Sequence, residues 1–345
     1  MDDPPVVGRF ARERPGIHRG RTSRALSWPA GCDLGAAPRE SIEKECGMTH
    51  GQWSRREFFR RSAMMGAVAV GGPTLLSACQ TTGDGGDSLQ AARDSGSIRV
   101  GIANEQPYGF ADESGNVTGE APEVARAVFS ALGINQMQAQ VVTFDQLIPG
   151  LNAGQYEMVT AGMFITPERC GQAAFSIPDY TAFTALLVPE GNPRGLMNFE
   201  DVAAQGASLA VLAGAVEKGY ATSAGVAENA IRTLDTQDSM LRSVIDGRVD
   251  CAALTDISLN WLADQNPNAP VEVTDGFQPI ENGEPVVSAG GFVFRQDDEP
   301  LREAFNGELR RLHESSEWVR IAEPFGFGQE NVPGPNITTE RLCRA

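Results

Sequence analysis

The chain has 345 residues and a formal net charge of −17, which is unevenly spread: residues 1–78 contribute +4 and the remaining 267 residues contribute −21. So acidic a body argues against nucleic acid as a partner, because phosphate binding requires clustered Lys and Arg. Only His313 among the three histidines lies beyond residue 78, which argues against a His-based triad or a His-rich metal site, and no cofactor is expected. The length suits two lobes preceded by an export leader.

An export leader is predicted at residues 48–78. Two pairs of arginines flanking Phe58-Phe59 precede an apolar run from Ala63 to Leu76, which is the order of a secretory signal and resembles the twin-arginine type. The run is too short and too broken by glycine to span a membrane well. Leu76-Ser77-Ala78-Cys79 resembles a lipobox, in which Cys79 becomes the lipidated first residue and anchors the protein to the membrane. An ordinary signal peptide with a coincidental cysteine is the alternative.

Two further segments flank this leader. Residues 1–47 are rich in Arg, Pro and Gly without periodicity. A twin-arginine motif normally lies close to the initiator, so translation is predicted to begin at Met48, and residues 1–47 are predicted to be a non-native or disordered extension. Residues 79–96 are rich in Thr, Gly and Asp, which predicts a flexible tether.

Strand and helix patterns alternate from residue 97 onward. Predicted strands lie at 97–102, 140–144, 158–162, 184–188, 207–212, 250–254 and 286–294, and predicted helices at 120–129, 147–154, 216–222, 239–246 and 301–313. The alternation indicates an α/β fold with largely parallel sheets. Two crossing strands divide it into a first lobe of residues 97–188 and 289–345 and a second lobe of residues 189–288. A ligand cleft is expected between the lobes at this hinge.

Five motifs in this body resemble one family. In chain order they are Tyr108-Gly109-Phe110, Gly119-Glu120, Phe144-Asp145-Gln146-Leu147-Ile148-Pro149-Gly150-Leu151, Ile165-Thr166-Pro167-Glu168-Arg169 and Phe175-Ser176-Ile177-Pro178-Asp179-Tyr180. They resemble the polar amino-acid solute-binding proteins of ABC importers, over residues 97–330. The resemblance implies a type II periplasmic-binding-protein fold, an extracytoplasmic monomer, a small ligand and the permease subunits as partners.

Within that family the chain looks closest to the ectoine and hydroxyectoine binders. The residues behind this narrower resemblance are Asn104-Glu105-Gln106-Pro107-Tyr108, Gly119-Glu120-Ala121-Pro122-Glu123-Val124-Ala125 and Ala161 to Cys170. The ligand grip is expected to centre on the segment from Gly162 to Arg169. Ectoine is a compact cyclic amidine that bears a carboxylate, so the resemblance implies two oppositely charged ligand ends.

The first lobe offers groups for both ends. Arg169 follows a Thr-Pro turn, and its planar guanidinium suits bidentate capture of a carboxylate. Phe164 occupies a position where related amino-acid binders carry a small hydroxyl residue. With Tyr108 and Phe144 it would form an aromatic box for a delocalised cation, although plain core packing is the alternative for Phe144. Glu105 can accept N–H bonds from an amidinium.

The second lobe supplies weaker signals. Gly214-Ala215-Val216 lies at a strand-to-helix turn whose backbone N–H groups can hold a carboxylate, without the hydroxyl that relatives carry near Ala215. Thr255 stands where amino-acid binders place the acid that holds a primary α-ammonium, and the adjacent Asp256 should face away. The missing acid favours a ligand without a primary ammonium.

Two alternative functions and one covalent feature stay open. A polar amino acid or betaine is the second ligand class. A dehydratase-like enzyme on the same fold would need an acid/base pair, and Glu105 without a nearby His is a poor start, so the chain is interpreted as non-enzymatic. Export permits a disulfide between Cys170 and Cys343, whereas Cys251 is predicted to be a buried thiol.

Overall fold

A computed structural model describes residues 88–344 of the chain. Among these residues no helix is long and apolar enough to cross a membrane. Four predictions lie outside the described residues: the extension at 1–47, the leader at 48–78, the lipidation of Cys79, and the tether as far as residue 87.

The strands in residues 88–344 are, in chain order, β1 (Ser97–Ile102), β2 (Phe110–Ala111), β3 (Val117–Thr118), β4 (Gln136–Val141), β5 (Met158–Phe164), β6 (Ala174–Phe175), β7 (Tyr180–Thr181), β8 (Thr184–Pro189), β9 (Leu209–Leu212), β10 (Ile231–Leu234), β11 (Cys251–Thr255), β12 (Val271–Val273), β13 (Ile280–Glu281), β14 (Glu284–Pro285) and β15 (Ala289–Phe294). The α-helices are α1 (Ser88–Ser95), α2 (Glu120–Ala131), α3 (Leu147–Asn152), α4 (Pro167–Cys170), α5 (Phe199–Ala204), α6 (Glu217–Ser223), α7 (Gln237–Ile245), α8 (Asp256–Gln265), α9 (Glu299–Glu314), α10 (Glu317–Ala322) and α11 (Thr339–Leu342).

Helix α1 corrects the tether prediction at its C-terminal end. Leu89 and Ala92 lie three residues apart on one helical face, and both are buried. Ser88 also accepts a hydrogen bond from Arg295 Nη2 at 3.0 Å. Burial of this apolar face, rather than the polar composition, decides the structure, so the predicted flexible tether is wrong for residues 88–95.

A mixed six-stranded sheet forms the centre of the first lobe, in the order β4-β1-β5-β15-β6, with β7 also pairing with β15. Strands β1, β4 and β5 are parallel, whereas β15 runs antiparallel to β5. Helices α2 and α9 pack together beside this sheet, with the rings of Phe129 and Phe305 5.4 Å apart. The chain therefore returns at β15 to complete a lobe that it began at β1.

The second lobe is built on a five-stranded sheet in the order β10-β9-β11-β8-β12. Strand β8 pairs antiparallel with β11, from Thr184 opposite Thr255 to Leu187 opposite Ala252. Residues 184–188 therefore belong to the second sheet, and their assignment to the first lobe is wrong. An apolar strand gives no sign of which sheet it joins, because that depends on a partner 65 or more residues away.

The lobes are linked at two adjacent crossings, as the predicted hinge requires. The first falls at residues 182–183, just before β8, and the second precedes β15. The backbone N–H of Ala182 donates to the carbonyl of Ser288 at 3.2 Å, so the two crossings contact each other.

Phe144 lies outside the second strand, contrary to the prediction for residues 140–144. That strand, β4, ends at Val141, and Phe144 begins a 3-10 turn over Phe144–Gln146 that leads into α3. Pairing with β1 from Ser97 onward fixes the earlier register of β4. The shift moves Phe144 from the sheet to its edge, where the ring reaches the cleft.

A disulfide joins Cys170 at the end of α4 to Cys343, with the two Cα atoms 5.7 Å apart. The C-terminal segment is thereby fixed beside the turn that carries Arg169. Cys251 is a buried free thiol, and burial raises its pKa to about 12. Both arrangements agree with the sequence-based expectations for these cysteines.

Candidate functional site

A small cavity of about 20 Å³ lies in the cleft between the two lobes. Its lining includes all eight residues that the sequence predicted for the site, namely Glu105, Tyr108, Phe144, Gly162, Phe164, Arg169, Ala215 and Thr255. Val216, Glu217 and Leu254 complete the lining. The fold thus brings together residues that are up to 150 positions apart in the chain.

Arg169 is held at the start of helix α4, where the Thr166 side chain accepts its backbone N–H. Arg169 is 8% exposed; its Nη1 donates to the carbonyl of Phe164 at 2.8 Å and its Nη2 to that of Gly214 at 2.9 Å. The guanidinium also lies 5.4 Å from the centre of the Phe144 ring. Burial lowers the pKa of Arg169, and nearby Glu217 opposes that shift. A buried cation that bonds only to carbonyl groups is well suited to receive a carboxylate.

Tyr108 and Phe164 form the aromatic wall of the cavity, with Tyr180 between them. The Tyr108 and Tyr180 rings are 5.1 Å apart and the Phe164 and Tyr180 rings are 6.1 Å apart. A Cβ at Gly162 would lie 2.2 Å from Cδ1 of Tyr108, and its φ of +59° also requires glycine. Phe144 also lines the cavity, but its ring lies beside the guanidinium of Arg169, so the predicted three-ring box is two rings plus one ring next to the arginine.

Two buried carboxyl groups face this wall. Glu105 is 7% exposed, and burial together with the charge of Glu217 raises its pKa to about 8. Glu217 is 3% exposed, and burial raises its pKa to about 7 although Arg169 acts in the opposite direction. The Oε2 atom of Glu217 has no hydrogen-bond partner among the described residues. The cavity therefore offers two acceptors for a ligand N–H group.

Glu217 was not identified from the sequence. The sequence feature that could have pointed to Glu217 is its position directly after the Gly214-Ala215-Val216 turn, at the first residue of α6. An acid there is usually a helix-dipole partner on the surface. Only the closed cleft shows that this carboxyl points towards Arg169 and Glu105 rather than towards solvent.

One of the donors expected at the Gly214-Ala215-Val216 turn is already engaged. The N–H of Ala215 donates to the carbonyl of Leu212 at 3.2 Å, and the carboxyl of Glu217 bonds to its own backbone N–H. A Cβ at Gly214 would lie 2.8 Å from Cα of Asp145, so the backbones of the two lobes approach closely here. The turn contributes the Gly214 carbonyl to Arg169 in this arrangement, and capture of a ligand carboxylate by its N–H groups stays a prediction.

Thr255 joins the lobes through its hydroxyl. Its Oγ1 caps helix α8 by accepting the N–H of Ser258 and also accepts the hydroxyl of Tyr108 at 2.9 Å. The carboxyl of Asp256 turns away from the cavity and accepts the N–H of Phe183 at 3.1 Å, which confirms the orientation predicted from strand alternation. The cavity therefore has a neutral hydroxyl, not an acid, at this position.

The polar groups of the two lobes bond to one another across the cleft. The contacts are Tyr108 to Thr255, Arg169 to Gly214, and the hydroxyl of Ser258 to Glu105 at 3.3 Å. A volume of 20 Å³ accommodates about one water molecule. A ligand of several heavy atoms must therefore widen the cavity and replace some of the contacts that line it.

A larger cavity of about 520 Å³ lies at the crossings, beside Phe183 and Ser288. Its described lining residues include Asp256, Asp264 and Glu330 but no basic side chain. No group of three or more His, Cys, Asp or Glu residues within 88–344 is arranged to hold a metal ion. Because only the smaller cavity pairs acids with a buried arginine, it is the candidate site.

Known proteins are similar to this chain both in sequence and in their two-lobe architecture. Residues 98–329 match the profile of bacterial extracellular solute-binding proteins, family 3. The chain belongs to this family. The probable amino-acid ABC transporter periplasmic-binding protein y4tE of Sinorhizobium fredii is 35% identical over 263 residues, covering 75% of this chain and 87% of that protein.

Two solved structures extend the comparison. The crystal structure of EhuB in complex with hydroxyectoine matches with 36% identity and a TM-score of 0.68, over 74% of this chain and 98% of EhuB. The ancestral amino acid-binding protein AncCDT-1, a precursor of cyclohexadienyl dehydratase, matches with 27% identity and a TM-score of 0.61, over 69% of this chain and 99% of that one. This solute-binding protein therefore has the type II periplasmic-binding fold, as the sequence predicted.

Family membership fixes the general role. Family 3 solute-binding proteins act outside the cytoplasm, take up small ligands and interact with the permeases of ABC importers. They are mostly transport proteins, although relatives on the same fold include enzymes.

Proposed function

We propose that this solute-binding protein delivers ectoine or hydroxyectoine to an ABC importer. The observation that carries the proposal is one closed cavity in which a buried guanidinium, two buried carboxyls and two aromatic rings converge. A zwitterion with a carboxylate at one end and a delocalised cation at the other matches that arrangement at both ends. Closure over such a ligand would present the closed form to the permease, with no covalent chemistry.

At the anionic end, Arg169 receives the ligand carboxylate. Its two terminal nitrogens already donate to carbonyl oxygens on opposite sides of the cleft, Phe164 and Gly214. A carboxylate that replaces the Gly214 contact exchanges a neutral acceptor for a charged one, which is a stronger partner for a desolvated guanidinium.

At the cationic end, Glu105 and Glu217 accept the N–H groups of the amidinium. Burial favours their neutral forms, so both gain most from a ligand that brings a positive charge into the cavity. The faces of Tyr108 and Phe164 hold the planar cation, each contributing roughly 0.5–2 kcal/mol when water is excluded. The likeness to EhuB, which was solved with hydroxyectoine, supports the same ligand class.

A polar amino acid or a betaine is the alternative ligand. The neutral Thr255 weighs against a primary α-ammonium, because its Oγ1 already accepts two hydrogen bonds. An enzymatic role on this fold would use Glu105 as a proton donor, since burial holds its pKa near 8. That role would also need a partner base, for which the lining offers Glu217 but no histidine.

Calorimetric titration of the chain with ectoine, hydroxyectoine, glycine betaine, proline and arginine tests the proposal. Ectoine or hydroxyectoine is expected to bind most tightly. No heat with either of them, together with micromolar binding of arginine, would refute the osmolyte assignment. Incubating these compounds with the protein and analysing them by NMR tests the enzymatic alternative, for which no turnover is expected.

The membrane anchor is a separate proposal. The lipobox-like sequence before Cys79 supports lipidation there, which would hold the protein at the outer face of the cytoplasmic membrane. Labelled fatty acid is expected to enter the wild-type protein and not the Cys79→Ala variant. Equal labelling of both would contradict the anchor.

A further inference from the structure

Gln106 is held by the second lobe through three hydrogen bonds that lie outside the ligand cavity. The side-chain amide of Gln237 contacts both backbone groups of Gln106: Oε1 accepts its N–H at 3.0 Å, and Nε2 donates to its carbonyl at 2.8 Å. Trp261 Nε1 donates to Oε1 of Gln106 at 3.0 Å. Gln106 belongs to the loop after β1 in the first lobe, whereas Gln237 and Trp261 begin or lie within helices of the second lobe.

This contact is partly buried and uncharged. Gln237 is 8% exposed. The centre of the Trp261 ring lies 6.4 Å from the ring centres of both Phe110 and Phe325 of the first lobe. Because the three bonds join uncharged groups, salt screening has little effect on them.

The contact is also independent of the ligand. Gln106, Gln237 and Trp261 do not line the 20 Å³ cavity, and every atom of the three bonds belongs to the protein. All three bonds must break when the lobes separate. Whatever free energy they supply therefore favours the closed form equally for every ligand.

We infer that Gln237 and Trp261 form a latch on Gln106 that stabilises the closed form before any ligand binds. A liganded closed form that keeps these three bonds gains the same free energy from them whichever ligand it holds, so the latch raises the affinity for all ligands by one common factor and does not affect ligand choice. Gln237 and Trp261 are positioning residues in this scheme. The inference rests on the proposed function in one respect: the affinity measurement uses ectoine and hydroxyectoine as ligands.

Gln237→Glu tests the latch because it keeps Oε1 and replaces the donor Nε2 by an oxygen that faces the Gln106 carbonyl. Ectoine and hydroxyectoine affinities are both expected to fall roughly tenfold, by the same factor, through faster dissociation. Gln265→Glu is the matched control, because it makes the same change at an exposed position of the second lobe. Trp261→Phe removes one bond and is expected to weaken binding roughly threefold.

The latch also has a readout that needs no ligand. With 5-fluorotryptophan throughout the full chain, the 19F resonance of Trp261 is identified by its loss in Trp261→Phe, and fully buried Trp318 serves as the internal reference. Gln237→Glu is expected to move the Trp261 resonance towards its solvent-exposed position, whereas Gln265→Glu leaves it unchanged.

The outcomes separate the latch from the proposed ligand. Identical Trp261 resonances in the two glutamate variants would overturn the latch whether or not ectoine binds. Unequal losses of ectoine and hydroxyectoine affinity in Gln237→Glu would overturn it too, because Gln237 would then act through the cavity. If the wild-type protein binds neither compound, but Gln237→Glu still shifts the Trp261 resonance, the proposed ligand is refuted and the latch is supported.

Discussion

The hydroxyl of Tyr108 donates to Oγ1 of Thr255 at 2.9 Å, and this bond joins the two lobes across the cleft. Resemblance to amino-acid binders implies an acid at position 255, where it would hold a primary ammonium. In this protein the position carries a neutral acceptor that also caps helix α8. The same residue thus contributes to closure and withholds the charge that an α-amino acid needs.

Replacing Thr255 by Asp should change the ligand preference. We expect ectoine affinity to fall roughly tenfold, because a third carboxyl joins Glu105 and Glu217 in a buried space, and arginine affinity to rise. Titration of both ligands measures the change. Thr255→Asn is the uncharged control of equal size, and the same ligand ratio in both variants would show that charge at this position does not select the ligand.

Removing Arg169 should abolish tight binding. The side chain is the only basic group in the cavity lining, so Arg169→Ala is expected to lower ectoine affinity roughly 100-fold or more. Arg169→Lys keeps the charge without the planar fork and should be intermediate. Arg99→Ala, at an exposed ion pair, is the control. Near wild-type affinity in Arg169→Ala would remove the carboxylate from the binding scheme.

The contribution of the aromatic face can be separated from that of apolar volume at Phe164. Phe164→Ser should weaken ectoine binding and broaden specificity. Phe164→Leu retains bulk without a π face, and its expected loss is roughly 2- to 30-fold. Titration of ectoine against each variant gives the comparison. Unchanged affinity in both variants would leave no role for the ring.

Ligand binding should release protons at neutral pH. Burial raises the pKa of Glu105 from 4.5 to about 8, so this carboxyl is largely protonated in the closed protein, and an amidinium would favour its ionised form. Calorimetry at pH 7 in buffers of different ionisation enthalpy should detect the release, up to about one proton. Glu105→Gln is expected to abolish most of it. Equal release by the variant and the wild type would exclude Glu105 as the source.

The same shift sets a pH dependence of stability. Between pH 4.5 and about 8 the folded protein holds a proton on Glu105 that the unfolded chain has lost, so this group's contribution to the free energy of unfolding falls as pH rises. His313 acts oppositely at lower pH, because burial lowers its pKa to about 4. Thermal unfolding of wild type and Glu105→Gln across this pH range gives the difference between their free energies of unfolding, which isolates the contribution of Glu105. A difference that does not vary with pH would contradict it.

The sequence alone determined the architecture and most of the lining of the candidate site. The periodicity of apolar residues shows which face of each strand or helix is buried. The motif from Ile165 to Arg169 places the arginine directly after a turn. Both features are local properties of the chain. Phe164 and Thr255 likewise stand out by residue type at known motif positions.

Only the tertiary structure decided how these elements meet. Strand β8 joins the second sheet because its partner in β11 lies there, and α1 forms because a distant surface buries Leu89. The Glu217 carboxyl enters the site, and Gln237 reaches Gln106, only when the lobes close. Such relationships depend on the packing of residues that are far apart in the chain, which local patterns of polarity do not encode.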